Sequence, residues 1–228
     1  MTPFHVRIPN RMLSGETNTI ELTITPTSHK ARQIKDQNNF AKKIYNGVIR
    51  DILLVGSPQI RISEIDHYTE VRSDRQTWDV NATLNISTGD ISKLFSGSAL
   101  ADSISFPGSE KVNINVEAFL RTSNGNPVGE KMAATVLVEP ERTTTRDVKL
   151  SVNNPTLWSP TSPNLYQLVT RISKNGHLID EKIADIGFRN VSITSDTNDS
   201  EIRLNGRIFS IKGVAYIEDY NKNGQTVS

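Results

Sequence analysis

Carboxylates, imidazoles, thiols and activated hydroxyls are the groups through which a chain of this size could do chemistry, and here each class is sparse or poorly spaced. Glu218 and Asp219 form an adjacent carboxylate pair, the residue types that general acid and base work needs. Neighbours on an extended chain point to opposite sides, so these two do not easily flank one bond. His5, His29, His67 and His177 share no i, i+2 or i, i+4 spacing and gather no acids around them. No metal site is expected from them. The chain has no cysteine, which removes disulfides, thiolate nucleophiles and sulfur redox chemistry. It also has no Gly-x-Ser-x-Gly elbow and no phosphate loop, so neither serine catalysis nor a nucleotide cofactor is expected.

The elements that would position any such groups are strands. Val80, Ala82, Leu84 and Ile86 alternate with polar residues, as do Val112, Ile114, Val116, Ala118 and Leu120. The same period of two runs through Val148, Leu150 and Val152, through Tyr166, Leu168, Thr170 and Ile172, and through Ile20, Leu22 and Ile24. Such alternation predicts strands with one face in a core and one in water. Between them stand turn residues: 123–127 (Ser-Asn-Gly-Asn-Pro), 153–155 (Asn-Asn-Pro), Lys174-Asn175-Gly176 and Asn205-Gly206, the last two being hairpin signals. Only Lys30 to Ile44 could pass for a helix, and its apolar residues keep the helical period so poorly that it reads as a loop. Thr88 to Glu110, rich in Ser and Gly, reads as a long connection inserted between two strands. The fold class expected is all-β, an immunoglobulin-like antiparallel β-sandwich.

Composition excludes several partners. The chain has 228 residues with 26 Lys plus Arg against 25 Asp plus Glu, a net charge of +1. That balance provides no field to attract nucleic acid or an anionic membrane. No stretch approaches the roughly 18 apolar residues of a membrane helix, and 1–10 lacks the apolar core of a signal peptide. The four Asn-x-Ser/Thr sequons, starting at Asn81, Asn85, Asn190 and Asn198, are about what chance yields and say nothing of secretion.

Five motifs in order carry a resemblance: Leu157-Trp158-Ser159-Pro160, Pro163-Asn164-Leu165-Tyr166, Gly187-Phe188-Arg189, Leu204-Asn205-Gly206-Arg207 and Ile211-Lys212-Gly213-Val214. The series resembles glycoside hydrolase family 2, the β-galactosidase and β-glucuronidase family, where it marks the end of an immunoglobulin-like sandwich and the entry into a catalytic barrel. Upstream, Pro3-Phe4 with Leu13, the stretch Gly15 to Ile20 and the stretch Tyr45 to Ile52 look like closing strands of that family's sugar-binding jelly roll. The resemblance thus implies three parts. Residues 1–56 would be an incomplete jelly-roll segment, with strands at Phe4 to Ile8, Asn18 to Thr25 and Val48 to Val55. Residues 57–195 would be the sandwich, and 196–228 a linker with the first barrel strand, Phe209 to Ala215.

What the resemblance implies about function follows from those parts. The parent enzyme would hydrolyse O-glycosyl bonds with retention, using two carboxylates about 5 Å apart at the ends of barrel strands. The sequence in hand ends at Ser228, before the segments expected to carry them, so no catalytic residue is assigned and no cofactor is expected. The expected role is a non-catalytic spacer, with the remaining domains of a glycoside hydrolase as partners. The unpaired edges of 1–56 are expected to find a partner, by pairing with a second copy or by packing on the sandwich. Glu218 and Asp219 are substrate-binding candidates in a complete enzyme only. The family commonly has Asn after Gly-Val and His before the acidic pair, where this chain has Ala215 and Ile217. Trp158 is expected to cap the bottom of the sandwich, at the interdomain interface. Arg189 is expected at the interface with the barrel, its fork bonding carbonyls or a carboxylate. Trp78, Trp158, Tyr68 and Tyr166 are the rings that could stack on sugars, with ordinary packing the commoner use of such rings. The competing reading is an independent carbohydrate-binding or adhesion sandwich, which would have no need of the hairpin at Leu204 to Val214. Compartment stays open between bacterial cytoplasm and periplasm.

Overall fold

The computed structural model describes residues 6, 8, 15, 17–23, 48, 51–89, 111–195 and 200–215. The chain divides into two compact units, one of residues 1–54 with 213–228 and one of residues 55–212. The second unit holds all ten described strands, and no helix occurs among the described residues.

Two antiparallel sheets face each other in this unit. One runs in the order β1 (Ile60–Val71), β2 (Thr77–Thr88), β5 (Thr143–Asn153). The other runs β4 (Pro127–Val138), β3 (Val112–Thr122), β6 (Tyr166–Lys174), β7 (His177–Ile186). The alternating residues supply the core as expected. Val80, Leu84 and Ile86 on β2 and Val148 and Leu150 on β5 are buried together with Ile114, Val116 and Leu120 on β3 and Leu168 and Ile172 on β6. This is an all-β sandwich with its apolar residues between the sheets, the arrangement that hides one face of every strand. A third, smaller sheet follows in the order β10 (Arg207–Ile208), β9 (Ser200–Leu204), β8 (Val191–Ser195).

The turns follow their chemistry. Asn175 and Gly176 link β6 to β7 with φ of 49° and 81°, and Asn205 and Gly206 link β9 to β10 with φ of 53° and 80°. Two successive left-handed residues make the turn that matches the twist of a hairpin. At the β1–β2 connection Asp74 accepts hydrogen bonds from the amides of Gln76 and Thr77, at 2.9 and 2.8 Å, and from the Thr77 hydroxyl. These bonds hold the Asp74 carboxyl below the usual carboxylate range.

Edges need other devices. On β1 a bulge at Ser63 separates the pairs Ile62↔Ile86 and Glu64↔Asn85. The main chain there is served by side chains of the opposite sheet: Asp180 Oδ2 accepts from Ile62 N at 2.8 Å and Lys182 Nζ donates to Ser63 O at 2.8 Å. On β4 the pairing with β3 shifts between Met132 and Val128. Within that irregularity Gly129 has φ of 69°, and a Cβ there would sit 2.8 Å from the carbonyl oxygen of Ser151 on β5. Only glycine lets the edges of the two sheets approach this closely.

On the outer face of the three-stranded sheet Asp79 is nearly covered by its partners. Arg72 donates to it through Nε and Nη2, Ser151 donates at 2.7 Å, and Lys149 Nζ lies 3.0 Å away. The Arg72 bonds outweigh the cost of burial and hold the carboxyl far below the usual range.

Some expected strands are not formed. Residues 17–23 and 51–55 lie outside any strand, with Ile20 66% and Leu54 86% exposed. A strand exists only where a neighbour completes its ladder, and no described strand lies alongside them. Of the stretch Phe4 to Ile8 only Val6 and Ile8 are described, neither in a strand. Lys30 to Ile44 and almost all of Thr88 to Glu110 lie outside the described residues.

Two predictions follow from these devices. Gly129→Ala combines a left-handed backbone with a main-chain clash and should cost about 2–3 kcal/mol in urea unfolding. Gly125→Ala, also at positive φ but with open space around it, should cost only about 1 kcal/mol. Because the Asp79 carboxyl is depressed in the fold, its contribution is complete above the ordinary aspartate pKa of about 4 and is lost as pH falls below it. Asp79→Asn should therefore lower stability at pH 7 by about 2 kcal/mol and flatten the loss of stability below pH 4.

Candidate functional site

The motifs that stood apart in the sequence meet at the end of the sandwich where the chain leaves β7. Phe188, two residues past the end of β7, is fully buried. Its ring meets those of Trp78 and Tyr166 edge to face, with centroids 5.8 and 5.1 Å apart. Each such pair is worth about 0.5–1.5 kcal/mol beyond burial. The Tyr166 hydroxyl accepts a bond from the amide of Thr156 at 2.9 Å, so the ring is anchored at its polar end as well.

Trp158 joins this cluster through the main chain. Its amide donates to the Phe188 carbonyl at 2.8 Å, tying the β5–β6 connection to the exit of β7. The connection is itself a closed loop. Ser159 and Ser162 exchange main-chain bonds at 2.9 and 3.0 Å, and Asn164 Nδ2 donates to the Leu157 carbonyl at 3.1 Å. The indole lies against Gly187, where a Cβ would come within 3.2 Å of Trp158 Cβ and Cγ. Gly187 is thus small because an indole occupies the space a side chain would need.

Arg189 completes the site by stacking. Its guanidinium carbon lies 4.9 Å from the Trp158 ring centroid, a cation–π contact that covers one face of the indole. Guanidinium is well suited to such a contact with an aromatic ring. From the third sheet Asn205 reaches back: Nδ2 donates to the Trp158 carbonyl at 3.0 Å and Oδ1 accepts from the Asn190 amide at 2.9 Å. Four of the five motifs therefore form one structure. The fifth is different, for residues 209–215, expected as a barrel strand, are in no strand, and Ile211 is 70% exposed.

The arrangement consists of aromatic rings, amides and one guanidinium, groups that pack and hydrogen-bond. Among the described residues no group of three His, Asp or Glu could hold a metal ion. Glu218 and Asp219, the substrate-binding candidates, lie outside the described residues, as do His5 and His29. The rings considered for stacking are mostly committed: Trp78 is buried in the core, Trp158 is covered by Arg189, and Tyr166 packs on Phe188. Tyr68 alone of the four is largely exposed. The Asp79 cluster and the Asn205 side-chain links were not anticipated from sequence. The one available hint was Asn, with its two-sided amide, at a turn position that Gly also satisfies.

The close approach of Gly187 and Trp158 predicts strong coupling. Gly187→Ala should destabilise the protein by about 1–2 kcal/mol in the native background and by much less in Trp158→Ala, where the indole is gone. A double-mutant cycle in urea measures this, with a coupling of about 1 kcal/mol expected.

The family model of Glycosyl hydrolases family 2 matches residues 60–189. Beta-galactosidase 2 of Enterobacter cloacae is 25% identical over 187 residues, which cover 80% of this chain and 16% of that protein. A β-galactosidase of Psychromonas ingrahamii is 27% identical over 184 residues, with the same shares of 80% and 16%. The crystal structure of Bacteroides uniformis β-glucuronidase aligns with a TM-score of 0.59 at 15% identity, covering 75% of this chain and 19% of that one. That likeness is one of fold. The chain spans 16% of the length of these two β-galactosidases. With more than half of its residues matched by the family model, this chain belongs to glycosyl hydrolases family 2.

Proposed function

We propose that this chain is the non-catalytic β-sandwich portion of a family 2 glycoside hydrolase, a spacer that sets a sugar-binding domain and a catalytic barrel in their places during carbohydrate degradation. The observation that carries this reading is the third sheet. Val191 pairs with Leu204 and Ile193 with Ile202, so four apolar side chains share one face. Val191 and Ile193 are 60% and 67% exposed. A contiguous apolar face of this kind is what a following domain covers. The site at Phe188, Trp158 and Arg189 supports the same reading, because it braces the exit of the sandwich with groups suited to packing.

In this proposal residues 1–56 are the closing part of the jelly roll, 57–195 the sandwich and 196–228 the passage into the barrel. Trp158 and Arg189 stand at the interface between sandwich and barrel. Glu218 and Asp219 touch substrate only in the complete enzyme, and the catalytic carboxylates of a retaining mechanism belong to its barrel. The remaining domains of the hydrolase are the partners. The apolar run Ile52 to Val55, each residue 75% or more exposed, is a surface for the rest of the jelly roll or, in the isolated chain, for a second copy.

The pure 228-residue chain should show no turnover of chromogenic β-galactosides or β-glucuronides, and no saturable heat on titration with the corresponding sugars. Measurable turnover would overturn the spacer reading. Micromolar sugar binding would replace it with that of an autonomous carbohydrate-binding module.

A further inference from the structure

We propose that Asn205 is a positioning residue, a latch that clamps the β8–β9–β10 sheet to the end of the sandwich, and that this is why Asn stands at a turn position open to Gly. The turn itself asks only for a residue that accepts φ of 53°, and Gly meets that demand at least as well as Asn. What Gly cannot supply is the amide. Asn205 Oδ1 accepts from the Asn190 amide at 2.9 Å and Nδ2 donates to the Trp158 carbonyl at 3.0 Å. Its own main-chain amide donates to the Asn190 carbonyl at 2.8 Å. The orientation of the amide is unambiguous, because one partner can only donate and the other can only accept.

The geometry explains why a latch is needed. The third sheet continues from β7 through residues 187–190, a single covalent strand of chain. One strand is a hinge. Asn205 adds a link to the end of that connection, at Asn190, and one to a further point on the sandwich, Trp158, whose amide is bonded to Phe188. The Trp158 peptide units therefore relay the position of the buried Phe188 ring to the β9–β10 turn. Inside the third sheet Arg203 braces the same turn, donating to the Gly206 carbonyl at 3.2 Å and to Glu201 at 2.7 Å. With the latch closed, sandwich and third sheet move as one piece. Under the spacer reading, on which only this last consequence rests, the same latch fixes the direction in which the chain enters the next domain.

Substitution separates the turn from the latch. Asn205→Gly keeps the turn and deletes both side-chain bonds. Asn205→Asp keeps the acceptor for Asn190 but sets a carboxylate against the Trp158 carbonyl. Nuclear magnetic resonance of the 228-residue chain reads both effects. In Asn205→Gly the Asn190 amide should exchange with solvent about tenfold faster, while amides of the core such as Val80 and Leu168 keep their protection. Residual dipolar couplings of β8 and β9 should then no longer fit the alignment tensor of the sandwich. Asn205→Asp should restore the protection of Asn190 without restoring the common alignment. Unchanged Asn190 exchange with a single alignment tensor in Asn205→Gly would overturn the proposal, as would a loss of protection spread evenly through the core. Turnover by the chain would remove the spacer reading and leave these outcomes untouched.

Discussion

The burial of one ring governs how this chain is organised. Phe188 sits just past the last strand of the sandwich, has no exposed surface, and meets Trp78 from β2 and Tyr166 from β6 edge to face. Trp78 and Tyr166 belong to opposite sheets, so the ring closes the end of the core between them. Because Phe188 cannot move without opening that core, its carbonyl is a fixed point for the Trp158 amide. The indole, Gly187, Arg189 and the β9–β10 turn then inherit their positions from it. The order of dependence runs from apolar burial to main-chain bonding to the direction of the exiting chain.

Such a site does not look like a reactive one. Its polar groups are amides, carbonyls and a phenol hydroxyl bonded to each other, and its one charge stands over an aromatic ring. A carboxyl held far below its usual range, that of Asp79, sits elsewhere, on the outer face of the three-stranded sheet, where Arg72, Lys149 and Ser151 enclose it. Perturbed carboxyls often mark active sites. Here the cause is an ion-pair cluster that crosslinks the β1–β2 turn to β5, which is structural work.

Much of the fold was legible in the residues. Val80 to Ile86, Val112 to Leu120, Val148 to Val152 and Tyr166 to Ile172 keep strict parity because they lie on β2, β3, β5 and β6, where the inward face is closed by the opposite sheet. The two Asn-Gly turns announced themselves for a local reason, their need for positive φ. Parity failed where the backbone breaks it. The bulge at Ser63 puts three steps between Ile62 and Ile65, so β1 does not read as alternating, whereas on β4 Val128, Met132, Ala134, Val136 and Val138 keep one parity and the irregularity at Gly129 leaves Glu130 exposed at that parity. The stretch around Ile20 shows the reverse error, since it alternates well yet is exposed and lies in no strand. Pattern states which face a strand would bury, and only a neighbour decides whether a strand forms. The five motifs likewise identified the family, while the stacking of Arg189 on Trp158 and the reach of Asn205 depend on contacts between residues far apart in the chain.

The central claim is that the ring of Phe188 makes the exit of the sandwich part of its cooperative core. Native-state hydrogen exchange of the intact chain, followed residue by residue under rising denaturant, tests this most directly. The amides of Trp158 and Ile186 should be released only with global unfolding, in step with Leu84 and Leu168. Release of Trp158 and Ile186 at low denaturant, ahead of those core strands, would show a frayed end and contradict the account.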